Sequence, residues 1–521
     1  MEKNLLSKNL HQWLFLLVCF MATLPSWAED YTEDGIIYDI NTSTNTATVK
    51  GLEDNSATSA EIRNSVAGCE VTSIGWSAFS GCSSLKSINI PSSVTSIGSG
   101  AFYACSALTS INIPSSVTSI GEMAFYGCSS LTSINIPSSV TSIEDYVFAD
   151  CSSLTSINIP SSVTSIESAA FLGCSALISI NIPSSVTSIG ERAFNDCTAL
   201  TAINIPSSVT SIEWSAFNGC SSLTSINIPS SVTSIGWYAF SGCSALTSIN
   251  IPSSVKSIGE AAFNGCSSLT FINIPSSVTI IESWAFYGCS ALTSINIPSS
   301  VKSIGEAAFE GSDALKIVLI QSDRIEFGGG VFGSNTNIYA VSDNNLEFHL
   351  LSYYDSNEYP YVNNYIGGTW YTYGTPNIYA SDGSTIGSYA WDGNVLDYNP
   401  GQYLKTILET STNAQTFISN NNAIYNKLSE DLRKNLEDNL KKIDDLTNII
   451  AEGDAALSDL STNLSNAYND VRNAVTGIEH ATTTPAVTLR VYDLNGRRIN
   501  VNHVDELPQG IYVINGKKVI R

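Results

Sequence analysis

Phenylalanine recurs at a fixed interval through the middle of this 521-residue chain. Phe79 and Phe102 are 23 residues apart, and the same interval separates every later member of the series. These later members are Phe125, Phe148, Phe171, Phe194, Phe217, Phe240, Phe263, Phe286 and Phe309. A worn further copy is indicated by Phe332 and Ile338. A period of this length is typical of repeat arrays, in which one copy cannot bury its own apolar side and must stack on its neighbours.

Each copy follows one plan. Leu85, Ile88 and Ile90 have the LxxIxI spacing of a strand, whose isoleucines point to one side and whose Ser and Asn point to the other. Pro91 cannot donate to a strand ladder and ends the strand. The pattern therefore predicts a strand with one buried side in every copy.

The second half of the copy returns to the core. After a Ser-Ser turn, Val94 and Ile97 supply apolar side chains, and Gly98 permits a tight bend. We expect Ala101 and Phe102 on a short helical or 3₁₀ segment at the opposite side. Eleven copies stacked at the spacing of neighbouring strands predict a rod about 50 Å long.

The pattern LxxIxIPxSVTxIGxxAFxxC resembles the BspA-like family of bacterial leucine-rich repeats, of the treponemal, 23-residue type, over about residues 70–340. The resemblance implies a right-handed curved solenoid on a cell surface, used in adhesion to host or neighbouring cells, and supplies no fixed binding residue. We predict the solenoid over residues 70–345. A β cap at 29–69, where DGIIYDI and TATVKGL alternate in polarity, covers its first end. Worn copies over 316–341 cover the other end.

The first 28 residues have the features of a signal peptide. Lys3 and Lys8 precede an apolar run at 13–24, and Ser26-Trp27-Ala28 places small residues for cleavage after Ala28. Cys19 raises the alternative of a lipid anchor but lacks the small residues that a lipobox has before its cysteine. The run is too short for a convincing membrane span, and no other stretch qualifies, so we expect no integral span.

Two segments separate the repeats from the C-terminal tail. Residues 346–400 are rich in Tyr, Gly and Asn, and predict a β or irregular region. Trp370 and Trp391 in this region are either the core of a small module or a platform for sugars. Residues 401–476 predict a helical hairpin or coiled-coil spacer, because two apolar stripes recur at three- and four-residue steps. The stripes are Leu428, Leu432, Leu436, Leu440 and Ile443, then Leu457, Leu460, Leu464, Tyr468 and Val471.

The tail, residues 477–521, predicts two hairpins with turns at Asn495-Gly496 and Asn515-Gly516. Through YDLNGR and LPxGIYxxNGKK it resembles the type A C-terminal sorting domain of type IX secretion substrates. The resemblance implies export across an outer membrane, removal of the tail and, often, attachment to surface lipopolysaccharide. With the signal peptide it implies a two-membrane bacterium of the Bacteroidetes kind. We expect a secreted protein, at the outer-membrane cell surface or extracellular.

Ten cysteines occupy one repeat position, and Ser312 ends the series. No CxxC pair occurs and the repeats contain no histidine, so zinc has no support. We favour small buried residues that need no partner, since parallel Cβ vectors disfavour the disulfide dihedral. Pairwise bridges remain the alternative in a secreted chain. The ten are Cys82, Cys105, Cys128, Cys151, Cys174, Cys197, Cys220, Cys243, Cys266 and Cys289.

The sequence favours binding over catalysis. Of four histidines only His349 lies between the signal peptide and the helical segment, and no nucleophile motif or phosphate-binding glycine loop occurs. We therefore expect no enzyme activity, no cofactor and no metal site. The net charge of −24 argues against nucleic acid, whose phosphates need Lys and Arg.

Variation among the copies concentrates just before and after the ladder Phe. Large aromatic residues there are not required by core symmetry, and exposed aromatics suit protein interfaces and sugar platforms. Alternatively, they pack over the Phe ladder as a lid. The candidate ligand-binding residues are Trp76, Tyr126, Tyr146, Trp214, Trp237, Tyr238, Trp284 and Tyr287.

The other side of the array carries an Asn column from Asn89 to Asn296. This column is either a self-satisfied amide ladder or a polar sheet matched to a polysaccharide. Three functions follow as hypotheses: an adhesin that binds a host or bacterial surface protein, a glycan-binding module, and a structural spacer.

Overall fold

The computed structural model describes residues 30–322, 324–332, 336–340, 347–350, 370–371, 377–379, 401–446, 449, 452 and 454–483, and four short strands near the C-terminus. The predicted signal peptide, Trp391 and both Asn-Gly turns of the tail lie outside the described residues.

The repeats form a parallel β-solenoid, as predicted, but each copy contributes two strands where we expected one. Successive copies pair in parallel one repeat apart, for example Ser96 with Ser119 and Ile97 with Ile120. The second strand was missed because Thr-Ser-Ile is too short to show alternation. One side of the solenoid, the Asn face, is built from Ser59–Glu61, Ser87–Asn89, Ser110–Ile111, Ser133–Ile134, Ser156–Asn158, Ser179–Asn181, Ala202–Asn204, Ser225–Asn227, Ser248–Asn250, Phe271–Asn273, Ser294–Ile297, Ile317–Ile320, Asn337–Ala340 and Trp370–Tyr371.

The second side, the Thr face, continues as far along the chain as the Asn face. Both faces extend beyond residue 345, where we had placed the end of the solenoid. The strands of the Thr face are Cys69–Ile74, Ser96–Ile97, Ser119–Ile120, Ser142–Ile143, Ser165–Ile166, Ser188–Ile189, Ser211–Ile212, Ser234–Ile235, Ser257–Ile258, Ile280–Ile281, Ser303–Ile304, Arg324–Phe327, Glu347–Leu350 and Asn377–Tyr379.

The third side carries the Phe ladder on turns, in place of the expected short helix. The Ala101 N–H donates within its own copy to the Gly98 carbonyl (3.2 Å), whereas the Phe102 N–H donates to the Ala124 carbonyl of the next copy (2.8 Å). Because local and inter-copy bonds alternate, the run of local bonds that defines a helix cannot form.

Twelve phenylalanine rings stack in one continuous column through the core. Centroids of neighbouring rings lie between 5.1 Å (Phe79–Phe102) and 5.7 Å (Phe125–Phe148) apart. The column includes the worn copy, because Phe332 stacks on Phe309 at 5.3 Å. Every ring from Phe79 to Phe309 is fully buried, so the Phe ladder is core.

A β cap covers the N-terminal end of this core, as predicted. Asp30–Glu33 and Ile36–Asn41 pair antiparallel, and Thr46–Leu52 joins Ile36–Asn41 to the first strand of the Thr face, Cys69–Ile74. The short strand Ser65–Val66 folds back antiparallel onto Cys69–Ile74.

The helical segment packs against the solenoid. Its helices are α1 (Gly401–Asn420), α2 (Asn422–Tyr425), α3 (Glu430–Lys441) and α4 (Asp454–Thr483), with a 3₁₀ turn at Lys442–Asp445. Helix α1 lies along the Asn face from Ser248 to Ile320, where the Ser248 and Ser419 hydroxyl oxygens are 3.0 Å apart. Ile317 and Leu319 are buried in the core of the helical layer. The helices therefore cover part of the array, whereas we expected a spacer extending from it.

The tail strands Val491–Tyr492, Arg498–Ile499, Ile511–Ile514 and Lys517–Ile520 form one antiparallel sheet. Ile514 pairs with Lys517 in the last two of these strands. In the described part of the chain, every helix is too short or too polar to serve as a transmembrane segment. The same residues contain no group of His, Cys, Asp and Glu side chains suited to a metal ion.

Candidate binding face

Three positions in each copy vary around the ladder Phe, and together they form the variable face. The first and second positions precede the residue before Phe, and the third follows Phe directly. In one copy these are Glu191, Arg192 and Asn195. The backbone beneath them is held to the next copy, for example by the Arg192 N–H donating to the Trp214 carbonyl at 2.9 Å. Side chains on this face therefore vary on a backbone that repeats.

The second position has a positive φ in every copy from Ser77 to Ala307. Gly100 occupies it in one copy at φ 61°, whereas Tyr146 (55°), Tyr238 (56°) and Trp284 (55°) are large residues in the same conformation. For such residues this conformation costs roughly 1–2 kcal/mol, a cost that glycine avoids. The array therefore keeps large residues at a position where glycine would avoid this conformational cost.

The predicted aromatic residues occupy all three variable positions. Trp76 and Trp237 at the first position are 79 % and 60 % exposed, and Trp284 and Tyr287 are also exposed. Phe309 is fully buried although the variable positions of its copy hold Glu306, Ala307 and Glu310, so burial of the ladder does not require an aromatic residue at these positions. Half-buried members complete the set, namely Tyr126, Tyr146, Trp214 and Tyr238.

The aromatics form separate groups along the array. Tyr126 stacks on Tyr103 at a centroid distance of 5.0 Å, and its hydrogen bond to Asp150 raises the pKa of the Tyr126 phenol. Trp284 and Tyr287 share a later copy, and Trp76 lies in the first one. Tyr103 was missing from the predicted set, although its third-position spacing was visible in the sequence.

A groove of about 410 Å³ opens between these groups, in the middle of the array. The Arg192 guanidinium lies 4.0 Å from the centroid of the Trp214 ring, a cation–π contact that orients the side chain. Sequence reasoning singled out Trp214 and Tyr238 as site residues, but not Asn195, Ser215 or Asn218. The groove is lined by Leu172, Arg192, Asn195, Trp214, Ser215, Asn218 and Tyr238.

The cysteine column contains free, buried thiols. Each thiol from Cys105 onward donates to a Phe carbonyl of the preceding copy, as Cys197 does to Phe171 at 3.2 Å. Ser312 makes the equivalent bond to Phe286 at 3.0 Å, and the free, buried thiols agree with the expectation of small buried residues that need no disulfide partner. Burial raises the pKa of the Cys105 thiol to about 12, which makes it a poor nucleophile.

The Asn column differs from the amide ladder that was one of its two interpretations. From Asn89 to Asn227 the side chains are exposed, and within the described residues no hydrogen bond links one of these amides to the next. Hydroxyl groups on this face bond to backbone instead, as Thr132 does to the Thr109 carbonyl at 3.2 Å. From Ser248 onward, the helical layer lies over the face.

The two-stranded copies, the Phe ladder and the LxxIxI spacing define a leucine-rich-repeat solenoid. The sequence matches the profile of the BspA type leucine rich repeat region over residues 52–178, 165–289 and 256–353. The chain belongs to this family.

Solved structures with similarity to the chain come from several bacteria. A leucine rich cell surface protein from Faecalibacterium prausnitzii A2-165 is 34 % identical, over 57 % of this chain and 96 % of that one, with a TM-score of 0.40. A leucine-rich repeat protein from Bacteroides ovatus ATCC 8483 is 28 % identical over 60 % of this chain and all of its own length, with a TM-score of 0.40. A T. pallidum leucine rich repeat protein is 26 % identical over 42 % and 91 % of the two chains, with a TM-score of 0.31. No curated protein matches the chain.

Proposed function

We propose that the chain is an exported bacterial surface protein that binds a protein of a host or neighbouring cell through its variable face, and so acts in adhesion. One observation carries the proposal: Trp76 and Trp237 stand exposed at the first variable position, which holds serine in other copies. Exposed Trp and Tyr on a rigid scaffold bury large area with little loss of conformational freedom, which suits a protein interface.

Export is part of the same proposal. Cleavage after Ala28 would leave the first cap strand, Asp30–Glu33, intact. The paired hairpins of the tail are consistent with the sorting domain that its motifs resemble, and removal of this tail would allow attachment to outer-membrane lipopolysaccharide. The similar protein from F. prausnitzii carries the description of a cell surface protein. The proposed binding requires neither cofactor nor metal.

Polysaccharide binding by the open Asn face is the second candidate. It is favoured by exposed amides, at one per copy, that form no hydrogen bonds with one another within the described residues.

The test is a binding panel of extracellular-matrix proteins, mucins and polysaccharides, with the purified chain from Glu29 to Arg521. One variant changes the exposed Trp76 and Trp237 to Ser, the residue that Ser99, Ser168 and Ser283 already place at this first position. Loss of both exposed anchors should weaken binding to the protein partner by about 30-fold or more, since a single hot-spot residue contributes at least 2 kcal/mol.

The matched control changes Asn135, Asn158 and Asn181 to Ser on the Asn face. Protein binding that survives in this control and is lost in the tryptophan variant supports the proposal. Polysaccharide binding lost only in the asparagine variant would select the second candidate. Binding to no member of the panel, or equal binding by all three proteins, would overturn the role of the variable face.

A further inference from the structure

We propose that the groove around Arg192 is a binding site for a carboxylate-bearing sugar residue. The inference is independent of the protein partner proposed above, because it rests on polar groups that the fold leaves without partners inside one groove.

Arg192 is the only Lys or Arg at the three variable positions of the eleven Phe-bearing copies from Trp76 to Glu310. Its guanidinium is held over the Trp214 ring at 4.0 Å, and within the described residues it forms neither a hydrogen bond nor an ion pair. A guanidinium has five N–H donors in a planar fork that matches a carboxylate. In a chain with a net charge of −24, this isolated cation is oriented by Trp214 with its donors unused.

Two buried polar side chains lie beside it. Asn195 is 8 % exposed and Ser215 is 4 % exposed, and both line the groove. In the part of the chain that the structure describes, neither side chain forms a hydrogen bond. The polar atoms of Asn195 and Ser215 are not shut off from solvent, so the amide and the hydroxyl open onto the groove, where a ligand can supply donors and acceptors to them.

The strain at this site supports the same conclusion. Arg192 and Tyr238 both have positive φ, at 55° and 56°, and both line the groove. Gly100 shows that the array accepts glycine, which avoids this cost, at the same position of another copy. The fold therefore retains two large side chains in a costly conformation at one place.

The groove favours a sugar acid over an acidic peptide side chain. A peptide carboxylate would engage the guanidinium alone, whereas a sugar acid presents a carboxylate and several hydroxyl groups on one rigid ring. That combination can satisfy Arg192, Asn195 and Ser215 together. The C–H faces of the ring suit Leu172 and Tyr238, and a cavity of about 410 Å³ has room for one or two such units.

The experiment is saturation-transfer NMR and titration of the chain from Glu29 to Arg521 with three small ligands. Methyl β-D-glucuronide carries the carboxylate, methyl β-D-glucoside replaces it with a hydroxymethyl group, and N-acetyl-glutamate amide supplies a peptide carboxylate. We expect binding of the glucuronide, and binding of the glucoside and the glutamate amide that is weaker by about 10-fold or more, the range for a lost charged hydrogen bond.

Each substitution introduces the residue that another repeat has at the same position. Arg192→Ala introduces the alanine found at Ala169, and Asn195→Ala introduces the alanine found at Ala149. Each should weaken glucuronide binding by about 10-fold. Met123→Ala introduces the residue found at Ala169, at the same second position but outside the groove, and should leave glucuronide binding unchanged. Circular dichroism checks that all variants fold.

Three outcomes would overturn the proposal. Equal binding of glucuronide and glucoside would remove the role of the carboxylate. Tighter binding of the glutamate amide would assign the groove to acidic peptides. Absence of glucuronide binding, or binding that Arg192→Ala leaves intact, would show that the groove is not a sugar-acid site. None of these results bears on the tryptophan variant of the protein-binding test.

Discussion

Phe194 and Arg192 are two residues apart in one copy, yet they differ in how far the array constrains them. Phe194 is fully buried between Phe171 and Phe217, with ring centroids 5.4 Å and 5.5 Å away. Any other side chain there would break two stacks at once, and every complete copy has Phe. The position of Arg192 has no such neighbours and holds Ser, Gly, Met, Tyr, Ala or Trp in other copies. Within this fold, packing fixes the positions that repeat in every copy, and the positions that vary are the ones for which we propose a role in binding.

The largest expected effect tests the buried member of that comparison, Phe194. Phe194→Ala should lower the free energy of unfolding by about 3–5 kcal/mol, the usual cost of truncating a buried aromatic. Phe332→Ala should cost less, because Phe332 stacks on a ladder ring on one side only, at 5.3 Å from Phe309. Urea unfolding followed by circular dichroism measures both. Small and equal effects would mean that stacking does not dominate the interior.

The next effect concerns an outward-facing position of the array that is buried beneath the helical layer. Leu319 occupies an Asn-column position beneath the helical layer and is fully buried. Leu319→Asn restores the residue of the other copies and should cost about 1.5–3 kcal/mol in lost burial. Asn204→Leu, the reverse change on the open part of the face, should alter stability by less than about 0.5 kcal/mol. Similar costs at both sites would show that the helical layer does not depend on this contact.

The core and the docked helical layer, which these two pairs of variants test, also show how much of the fold the sequence could predict. The period of Phe194 and its equivalents predicted the solenoid and its core, because each copy repeats the same packing constraint. The docking of the helices depended on Ile317 and Leu319, two apolar residues at outward positions of a worn copy, and their pattern alone does not identify the partner element. The second strand and the unpartnered Asn195 and Ser215 arise from inter-copy backbone bonds and burial, which have no periodic signature of their own.

A smaller effect tests the thiol column through pH. Burial raises the pKa of the Cys243 thiol to about 12, whereas an unfolded thiol ionises near pH 8.5. Above that pH the unfolded state releases a proton that the folded state keeps. The contribution to stability is therefore complete at lower pH, and falls by about 1.4 kcal/mol per pH unit as the pH rises toward 12.

Cys243→Ser removes this one titration and keeps a donor for the Phe217 carbonyl, as Ser312 does for Phe286. Urea unfolding at several pH values between 8 and 11 should show a pH dependence that is shallower by about 1.4 kcal/mol per unit in the variant. Unchanged pH dependence would mean that the Cys243 thiol ionises normally in the folded protein.

The smallest effect tests whether the variable face stores strain. Tyr146 has a φ of 55°, so Tyr146→Gly relieves the left-handed conformation and Tyr146→Ala does not. Both variants lose the same ring, which leaves the backbone as the difference between them. The relief of roughly 1–2 kcal/mol, offset by the larger entropy of unfolded glycine, should make the glycine variant more stable than the alanine variant by about 0.5–1 kcal/mol.

The neighbouring first position supplies the control, because Asp145 has no positive φ. There the order should reverse, with Asp145→Ala more stable than Asp145→Gly, as glycine only adds unfolded-state entropy. Thermal unfolding of the four variants gives both differences. The same order at the two positions would mean that Tyr146 sits without strain, and its size would then need no functional explanation. Opposite orders would establish that the array retains a large aromatic residue against its own stability.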